Sequence, residues 1–497
     1  MMQKTRTNKW SWVAAASLII GLGAAAACGD DDNNGTSGNG TGNGSGNGSD
    51  PNDLDGIRAV LSTNVDLAVA MYSDAIDTAG ALRTAINAMV ADPTPETLAA
   101  ARRAWRVANE PYGPTEVYRF RASPIDDTDF DLSNGEDGPE GELNAWPLGE
   151  GLIDYVVEGT DFGDDQINVT EQATGVVDPV PNNIINSTNI AIDETLLAAN
   201  VSAEDERDVI TGYHAIEFML WGQDLNGDGS ADAPRDATPG QRPHTDYLQD
   251  ANCTSGPTQN ADGTFCTRRA QFIQLLADKL VADLTQVRDT FDGSYRATFA
   301  NPANLDQAKE FLIQILAGMG NLSEGELAGE RMQIALSANS QEDEHSCFSD
   351  NTHRDIVLNA EGVRFVYMGS YPGYDSDLDG VVDNVARATT GTGIDAYLRQ
   401  VGLTSLADDV MAALATTRTA YNQVDALARD ANNPLPVDLQ IVPGMNSSQP
   451  MIDTILGLNA QSNEFIQIAA DLELGSADQV VDPDTSECDT SDPTSPC

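Results

Sequence analysis

The segment Gly212–Asp224, GYHAIEFMLWGQD, is mostly apolar and predicts a helix. It carries two ionisable side chains, His214 and Glu217, three residues apart. Residues at this spacing share one face of a helix, so the imidazole and the carboxylate either converge on one metal ion or hydrogen-bond to each other. Both interpretations satisfy polar groups that are costly to bury, and physical reasoning alone leaves them equally open. The zinc-peptidase patterns HExxH and HxxEH are absent.

Helical periodicity extends outward from this segment in both directions. Apolar residues recur at spacings of three and four, whereas the alternating pattern of β-strands is scarce. A chain of 497 residues exceeds one comfortable hydrophobic core, so two domains are expected. We therefore predict an all-α protein made of helical bundles. The predicted helical stretches are Leu54–Phe120 with a break at Asp92–Glu96, Asn182–Asn200, Ala203–Gly222, Arg268–Phe291, Leu305–Ala338, Gly393–Arg429 and Met451–Leu472.

The charge of the chain is strongly negative. It has 78 acidic and 26 basic residues, giving a formal net charge of -52. Such a surface repels nucleic acid and attracts cations, so no nucleic-acid partner is expected. We favour adaptation to a salty habitat, where salt screens the self-repulsion, over a surface dedicated to collecting cations.

The first residues predict export rather than structure. Residues 1–27 combine a basic start with an apolar stretch too short for a convincing membrane span, which is typical of a signal peptide. The stretch ends at Ala25-Ala26-Ala27-Cys28, which is similar to a lipobox, and residues 28–51 form a Gly/Asn/Ser-rich tether. We predict that Cys28 is lipidated and anchors the protein to a bacterial membrane, at the outer membrane or the periplasmic face. The alternative is ordinary signal-peptidase cleavage after Ala27.

The remaining cysteines predict two local disulfides. Cys253 and Cys266 bracket a polar loop, and Cys488 and Cys497 bracket the acidic end of the chain. In an oxidising compartment both pairs are expected to be oxidised. Cys347 is left over, and no Cys/His spacing of a zinc finger is present.

Two acidic loops predict bound calcium. Both place oxygen ligands at positions 1, 3, 5 and 9 around a glycine at position 6, a pattern that wraps carboxylates around one hard cation. The glutamate at position 12 of an EF-hand is missing, so the loops look more like those of thrombospondin type 3 repeats or dockerins. We predict structural Ca²⁺ over solvated acidic loops. The predicted ligands are Asp224, Asn226, Asp228 and Asp232 in the first loop and Asp375, Asp377, Asp379 and Asp383 in the second.

The chain resembles the imelysin family, also called the M75 peptidase or iron-regulated protein A family. The quoted segment is similar to its GxHxxE signature, and four further segments match in the expected order over most of residues 55–475. One departure is Cys347, where the family usually has arginine. The further segments are Ala104–Phe120, Leu143–Leu148, Leu322–Met332 and Gln341–Ile356.

This resemblance implies two helical, bundle-like domains related by a pseudo-repeat, with a His–Glu site in a cleft near their junction and calcium-loop insertions added. The expected organisation is an N-terminal bundle at 52–240, a disulfide-bracketed insertion at 241–266, a C-terminal bundle at 267–475 and an acidic tail at 476–497.

The resemblance also implies site residues. His214 and Glu217 are the expected metal ligands, with Glu116 as a candidate third. A polar cluster that includes Glu344, His345 and Asp350 is expected to line the same cleft. The alternative is that Ser346, Ser349 and Asp350 cap a helix end. The two other histidines, His244 and His353, are expected to be exposed.

One imidazole with two carboxylates suits iron, manganese or zinc, and the family association favours iron, with zinc as the alternative. We expect a metal-binding lipoprotein that assists the acquisition of iron or an iron complex, with an iron-uptake transporter as a candidate partner. The first alternative is an M75-type metallopeptidase, which would need a general base that no motif plainly supplies. The second is a calcium-stabilised structural surface protein.

Overall fold

The computed structural model describes residues 53–130, 138–156, 183–198, 209–225, 234–256, 258–442 and 446–497. The predicted signal peptide and lipidation site Cys28 lie outside these ranges, as do Asn226, Asp228 and Asp232 of the first predicted calcium loop. Among the described helices, none has the length and apolar character that a membrane span requires.

Helices dominate the described residues, and the prediction of an all-α fold is confirmed. The helices are α1 (Leu54–Ala91), α2 (Pro95–Tyr112), α3 (Glu140–Leu143), α4 (Glu150–Ile153), α5 (Glu194–Ala198), α6 (Gly212–Trp221), α7 (Thr264–Thr290), α8 (Arg296–Phe299), α9 (Leu305–Asn321), α10 (Ile334–Ala338), α11 (Thr352–Met368), α12 (Ile394–Gln400), α13 (Thr404–Ala428), α14 (Val437–Gln440) and α15 (Gln449–Asp471). Wider π-helical turns continue two of them, at Phe291–Tyr295 and Leu322–Gln333.

Strands are limited to two short antiparallel pairs in the described part of the chain. Strand β1 (Thr254–Ser255) pairs with β2 (Thr258–Gln259), and β3 (Ser370–Tyr371) pairs with β4 (Thr389–Thr390). The second pair lies at the base of the second acidic loop, where Tyr374 also bridges to Asn384.

The first group of helices is α1, α2, α6 and α7. Helix α1 packs along both α2 and α7, and α6 lies between α2 and α7. Local sequence sets where two of these helices begin. The Asp53 side chain accepts a hydrogen bond from a backbone N–H in the first turn of α1. Thr94 immediately precedes Pro95, the first residue of α2, and forms a capping box with Thr97.

The second group contains α9 with its π-helical continuation, α11, α13 and α15. Helix α15 packs along α13 and along the π-helix Leu322–Gln333, and α11 packs on α13. Helix α7 lies mostly within the predicted C-terminal bundle but packs mainly with the first group, and α9 contacts both α1 and α15. The predicted boundaries at 240 and 266 stay predictions.

The two groups meet where α11 crosses the short 3₁₀ helix Gly113–Tyr118. At Gly362 of α11, an added Cβ would lie 2.3 Å from the carbonyl oxygen of Pro114. A glycine is therefore what allows the two backbones to approach so closely. Buried apolar residues from both groups form one continuous core.

The predicted acidic tail is packed against the π-helix Leu322–Gln333. The Gln333 side-chain amide approaches the backbone carbonyls of Asp489, Asp492 and Ser495 at 3.2–3.3 Å. The disulfide Cys488–Cys497 closes this tail, and Cys253–Cys266 closes the loop before α7, so both predicted disulfides are present.

One predicted helix is wrong. Of the stretch Asn182–Asn200, the described residues are helical only at Glu194–Ala198. The side chains of Asn183 and Asp193 accept hydrogen bonds from backbone N–H groups two and three residues later. Such bonds stabilise turns in competition with a helix, which explains why the apolar spacing did not produce one there.

Candidate metal centre

The helix α6 is fixed in place by glycine and by aromatic packing. Gly212 has φ +88°, and an added Cβ would lie 2.5 Å from the carbonyl oxygen of Leu143. The indole of Trp105 donates to the carbonyl of Tyr213 at 2.9 Å, and every residue of α6 is buried. The helix therefore begins at one defined point against α3, and His214 follows two residues later.

His214 and Glu217 hydrogen-bond to each other. The Nδ1 of His214 lies 3.0 Å from Oε2 of Glu217. The other carboxylate oxygen, Oε1, accepts hydrogen bonds from the N–H and the hydroxyl of Ser349 at 2.9 and 2.6 Å. Both oxygens of Glu217 thus take part in hydrogen bonds, in an arrangement that orients the imidazole of His214. Its role as a second metal ligand stays a prediction.

A second histidine has the same arrangement. The Nδ1 of His345 lies 2.9 Å from Oδ2 of Asp355. That aspartate is held in turn by the hydroxyl of Ser346 at 2.5 Å and by the side-chain amide of Asn109 at 2.6 Å. The His345–Asp355 pair therefore repeats the His214–Glu217 pair on a different part of the chain.

The two imidazoles pack edge to face. Their ring centroids lie 4.5 Å apart with an interplanar angle of 86°, and the indole of Trp146 packs on His214 at 4.9 Å. The Nε2 atoms of His214 and His345 are buried and have no hydrogen-bond partner among the described residues. A buried ring nitrogen without a partner is costly, so both atoms point to a group that the protein itself does not supply.

Burial keeps both rings neutral. It lowers the pKa of His214 to about 4, and it lowers the pKa of His345 well below its ordinary value, where the charges of Arg331 and His214 act in the same direction. Burial also raises the pKa of Glu217, although the hydrogen bonds from Ser349 oppose this. Neutral imidazoles can present a lone pair at Nε2 when Nδ1–H donates to a carboxylate.

These residues fit a metal ion. A carboxylate on Nδ1 fixes the tautomer and orientation of a ligating histidine, and both histidines have one. Two imidazole nitrogens are a borderline donor set that suits iron, zinc or nickel. Among the described residues, no set of three ligand atoms that includes either histidine lies mutually within 4.8 Å, so a bound ion would take further ligands from elsewhere.

Glu116, the expected third ligand, is instead held in a buried ion-pair network. Its carboxylate lies 2.7 Å from the guanidinium of Arg331 and 3.2 Å from that of Arg119, which also contact Glu326. Burial opposes ionisation of Glu116, but Arg331 and Arg119 outweigh it and lower the pKa of this carboxyl to about 2. The network lies close enough to influence the charge of both histidines.

The structure corrects further predictions. Ser346 and Ser349 bond to Asp355 and Glu217 and do not cap α11, whose N-cap Asn351 makes no side-chain cap bond. His353 is not exposed: its Nδ1 lies 2.7 Å from the carboxylate of Asp425. His244 lies in a 3₁₀ turn and is partly exposed.

The residues that sequence reasoning missed lie inside segments that it had singled out. Trp146 belongs to Leu143–Leu148, and Ser349 and Asp355 belong to Gln341–Ile356. Their types gave a signal, because a carboxylate ten residues from a histidine is a plausible partner for its second nitrogen. No spacing rule, however, shows that an aspartate after a turn folds back onto His345.

The second acidic loop brings three carboxylates together. The side chains of Asp375, Asp377 and Asp379 place one oxygen each within 4.8 Å of one another. Asp375 is buried and accepts hydrogen bonds from the N–H groups of Leu378 and Gly380 at 2.7 and 2.6 Å. Asp383, the fourth predicted ligand, is turned toward the backbone and hydroxyl of Ser376.

Asp224, from the first predicted loop, is buried against other segments. Its carboxylate accepts a hydrogen bond from the side-chain amide of Gln341 at 2.5 Å. Burial, with Asp350 and Asp438 nearby, raises its pKa to about 9. Glu344 and Asp350, predicted to line the histidine cleft, therefore share the surroundings of Asp224.

The fold and the site together define a class of protein. It is a helical protein in which a buried GxHxxE helix lies against a second histidine that is paired with a carboxylate. The family model of imelysin, peptidase M75, matches residues 68–464. This match covers well over half of the chain, which therefore belongs to the imelysin family.

Two solved structures are similar to the chain. One is described as an iron-regulated protein A precursor from Parabacteroides distasonis, with 18% identity, a TM-score of 0.49, and coverage of 84% of this chain and 97% of that one. The other is an imelysin-like protein from Psychrobacter arcticum, with 14% identity, a TM-score of 0.48, and coverage of 85% and 96%. No curated protein matches the sequence.

Proposed function

We propose that this protein binds a transition-metal ion, or a complex of one, through Nε2 of His214 and Nε2 of His345. The observation that carries the proposal is the pair of buried, neutral imidazoles, each with a carboxylate on Nδ1 and each with an unpartnered Nε2. A metal held this way has open positions, which suits the capture of an ion together with water or an external ligand.

We favour iron, with zinc as the alternative. Imidazole nitrogen suits both ions, and the resemblance to iron-regulated protein A-like imelysins favours iron. With a signal peptide and a lipid on Cys28, the protein would act outside the cytoplasm as a membrane-anchored lipoprotein. In this proposal it assists iron acquisition and hands the metal to an uptake transporter.

The elemental composition of the purified protein tests the proposal. After loading with Fe²⁺ or Zn²⁺, the wild type is expected to retain about one transition-metal ion per chain. His214→Ala and His345→Ala are expected to lose it. His353→Ala is the matched control, because His353 is also paired with a carboxylate but lies at a different place. Full metal content in both site variants would contradict the proposal.

A metallopeptidase is the alternative function. Two imidazoles and an ion with open positions are compatible with hydrolysis, but a general base is also needed. The nearby carboxylates are engaged: Glu217 and Asp355 on the histidines, and Glu116 on Arg331. Binding is therefore the better supported function. Peptide cleavage that is abolished both by chelation and by His214→Ala would reverse this preference.

We also propose that Asp375, Asp377 and Asp379 hold a structural calcium ion. Three converging carboxylates in a loop with glycine at position 6 are hard oxygen ligands of the kind that calcium prefers. The ion would stabilise the long loop between β3 and β4. The variant Asp377→Asn/Asp379→Asn is expected to lose one calcium ion per chain, and unchanged calcium content would refute this assignment.

A further inference from the structure

A cavity of about 280 Å³ lies between α2 of the first helix group, α11 and α13 of the second group, and the second acidic loop. Its wall includes Arg106 of α2, the turn before α11, the first residues of α11, Leu378 of the acidic loop and Arg429, which follows α13. Sites for small molecules are usually cavities in which a few polar groups converge on one space. We call this space, lined by Arg106 and Arg429, the arginine cavity.

Arg106 carries a charge that no carboxylate among the described residues neutralises through an ion pair. Its Nη2 donates to the carbonyl oxygen of Ser349 at 3.0 Å, and its Cζ lies 5.4 Å from the ring centroid of Trp221. Its Nε and Nη1 have no acceptor in the part of the chain that the structure describes. The side chain is half-buried, so water screens its charge less than at an exposed position. A bound anion would therefore stabilise it more than an exposed arginine.

A second guanidinium offers a free donor to the same space. Arg429 donates from Nε to Asp425 at 2.9 Å and from Nη1 to a backbone carbonyl of the acidic loop at 2.8 Å, which leaves Nη2 without an acceptor among the described residues. Arg354 also lines the cavity, but Glu110 and Asp425 occupy all three of its side-chain nitrogens. Neither of those carboxylates belongs to the described wall. The free N–H groups therefore come from Arg106 and Arg429.

The amino-terminal end of α11 contributes to the same wall. Asn351, the N-cap residue, and His353, in the first turn, both line the cavity. The Asn351 side chain makes no cap hydrogen bond, and the amino terminus of a helix attracts anions. Asp350 opposes this attraction, as the one acidic side chain in the described wall. The polar groups of the cavity thus favour a negative ligand held on the side of the two arginines.

We propose that the arginine cavity binds a small oxyanion, a carboxylate or a phosphate, through the guanidinium groups of Arg106 and Arg429 and the amino-terminal end of α11. Guanidinium groups form charge-assisted and often bidentate hydrogen bonds with both kinds of anion. The site is separate from the histidine centre, since neither His214 nor His345 lines the cavity as described. Anion binding can be measured in metal-free protein, so it stands or falls independently of the proposed metal binding.

Ser349 connects the arginine cavity to the histidine centre. Its carbonyl oxygen accepts the hydrogen bond from Arg106, while its N–H and hydroxyl donate to Oε1 of Glu217. The other oxygen of Glu217 is paired with His214. The anion and the histidine centre would therefore share one supporting residue and no ligand.

Titration calorimetry on the full chain in detergent tests the proposal. The protein is freed of metal ions, dialysed into buffer without chelator, and titrated with sodium succinate and, separately, with sodium phosphate. We expect the wild type to bind one equivalent of at least one of these anions. Arg106→Gln is expected to weaken that binding by about tenfold, because it removes a charge-assisted hydrogen bond. Arg83→Gln removes the same charge from a partly exposed position on α1 and is the control, expected to leave the affinity unchanged.

Asp350→Asn provides a test of the opposite sign. It removes the one negative charge in the described wall, so the affinity for the anion is expected to rise several-fold. Asparagine suits this position, because the backbone of Asp350 has φ +59° and asparagine tolerates the left-handed region. The variant therefore changes the charge of the cavity without straining the turn before α11.

Several outcomes would overturn the proposal. The first is a wild type that shows no saturable binding of succinate or phosphate in the millimolar range. The second is an unchanged affinity in Arg106→Gln that is folded by circular dichroism, and the third is an equal loss in Arg83→Gln, which would show an effect of net charge alone. Should Arg106→Gln fail to fold, Asp350→Asn decides, and anion binding that is unchanged or weaker in that variant would equally refute the site.

Discussion

In His214 and His345, the partner of Nδ1 determines the orientation and the tautomer of the imidazole. Each ring has its Nδ1 on a carboxylate, and each carboxylate is held by a serine hydroxyl. This second layer fixes the direction in which Nε2 points. The same ring without its carboxylate could rotate or change tautomer, and the ion would lose a well-placed ligand.

Asp355→Asn is therefore expected to weaken transition-metal affinity by about 10–100-fold without removing a ligand. The amide cannot stabilise the tautomer of His345 as a carboxylate does. Competition with a chromophoric chelator measures the change. Asp425→Asn, at the His353 pair, is the control and is expected to leave affinity unchanged in folded protein. Equal losses in both variants would show that the effect is a general one on stability.

Asp224 gives a pH dependence of stability in the calcium-free protein. Burial, with the nearby acids, raises its pKa in the folded state to about 9, far above the ordinary value of about 3.9. The folded state therefore binds a proton that the unfolded state has lost. The stabilisation is complete at acidic pH and disappears as pH rises toward 9.

We expect the free energy of unfolding in EDTA to fall between pH 5 and pH 8, by on the order of 1 kcal/mol per pH unit from this group. Urea unfolding of the wild type and of Asp224→Asn at both pH values measures it. The variant should show a shallower decline. An identical slope in the two proteins would mean that Asp224 is not the group responsible.

At the scale of helices, the contact between α11 and the 3₁₀ helix Gly113–Tyr118 joins the two helix groups. Gly362→Ala would place a methyl group 2.3 Å from the carbonyl oxygen of Pro114. We expect a destabilisation of about 1–3 kcal/mol, since overpacking forces the backbones apart. Gly80→Ala in α1 meets nothing within 4 Å and is expected to stabilise by about 0.5–1 kcal/mol. Urea denaturation compares them, and a neutral Gly362→Ala would disprove the close approach.

Sequence periodicity predicted most of these helices, because a helix that buries one apolar face has apolar residues at regular spacings of three and four. It predicted α1, α2 and α15 closely, but not the wider π-helical turns at Leu322–Gln333, which add no distinct spacing. The site was predicted only in part. His214 and Glu217 share one helix, whereas His345 arrives from more than a hundred residues away through tertiary packing that no local pattern encodes.

The fate of Glu116 illustrates the same limit. Its sequence context matched the family, and the prediction made it a ligand, but its partner Arg331 lies on a π-helix of the second helix group. Only the packed structure shows that the two charges neutralise each other. Ligand candidates and ion-pair partners are the same residue types, so a sequence cannot separate them.

The whole molecule carries a net charge of -52, and its stability should depend on salt. Self-repulsion acts over about 30 Å at 0.01 M salt and over only a few ångströms near 1 M. We expect the melting temperature in EDTA to rise by several degrees between 10 mM and 500 mM NaCl. Calorimetry with choline chloride as a second salt separates screening from binding of sodium, because screening predicts equal shifts. A constant melting temperature would exclude self-repulsion as a major cost.

The reactivity of the Cys347 thiol can report how often the segment around it opens. Its thiol is free and buried, it lies between His345 and Ser349, and burial together with the charges of Glu342 and Glu217 raises its pKa. A thiol reagent can reach it only when this segment detaches from the core, so the modification rate counts spontaneous openings. An ion that stabilises this segment in its packed position should slow the modification, and the more strongly it binds, the slower the rate. A rate that no added ion changes would mean that the segment opens independently of bound ions.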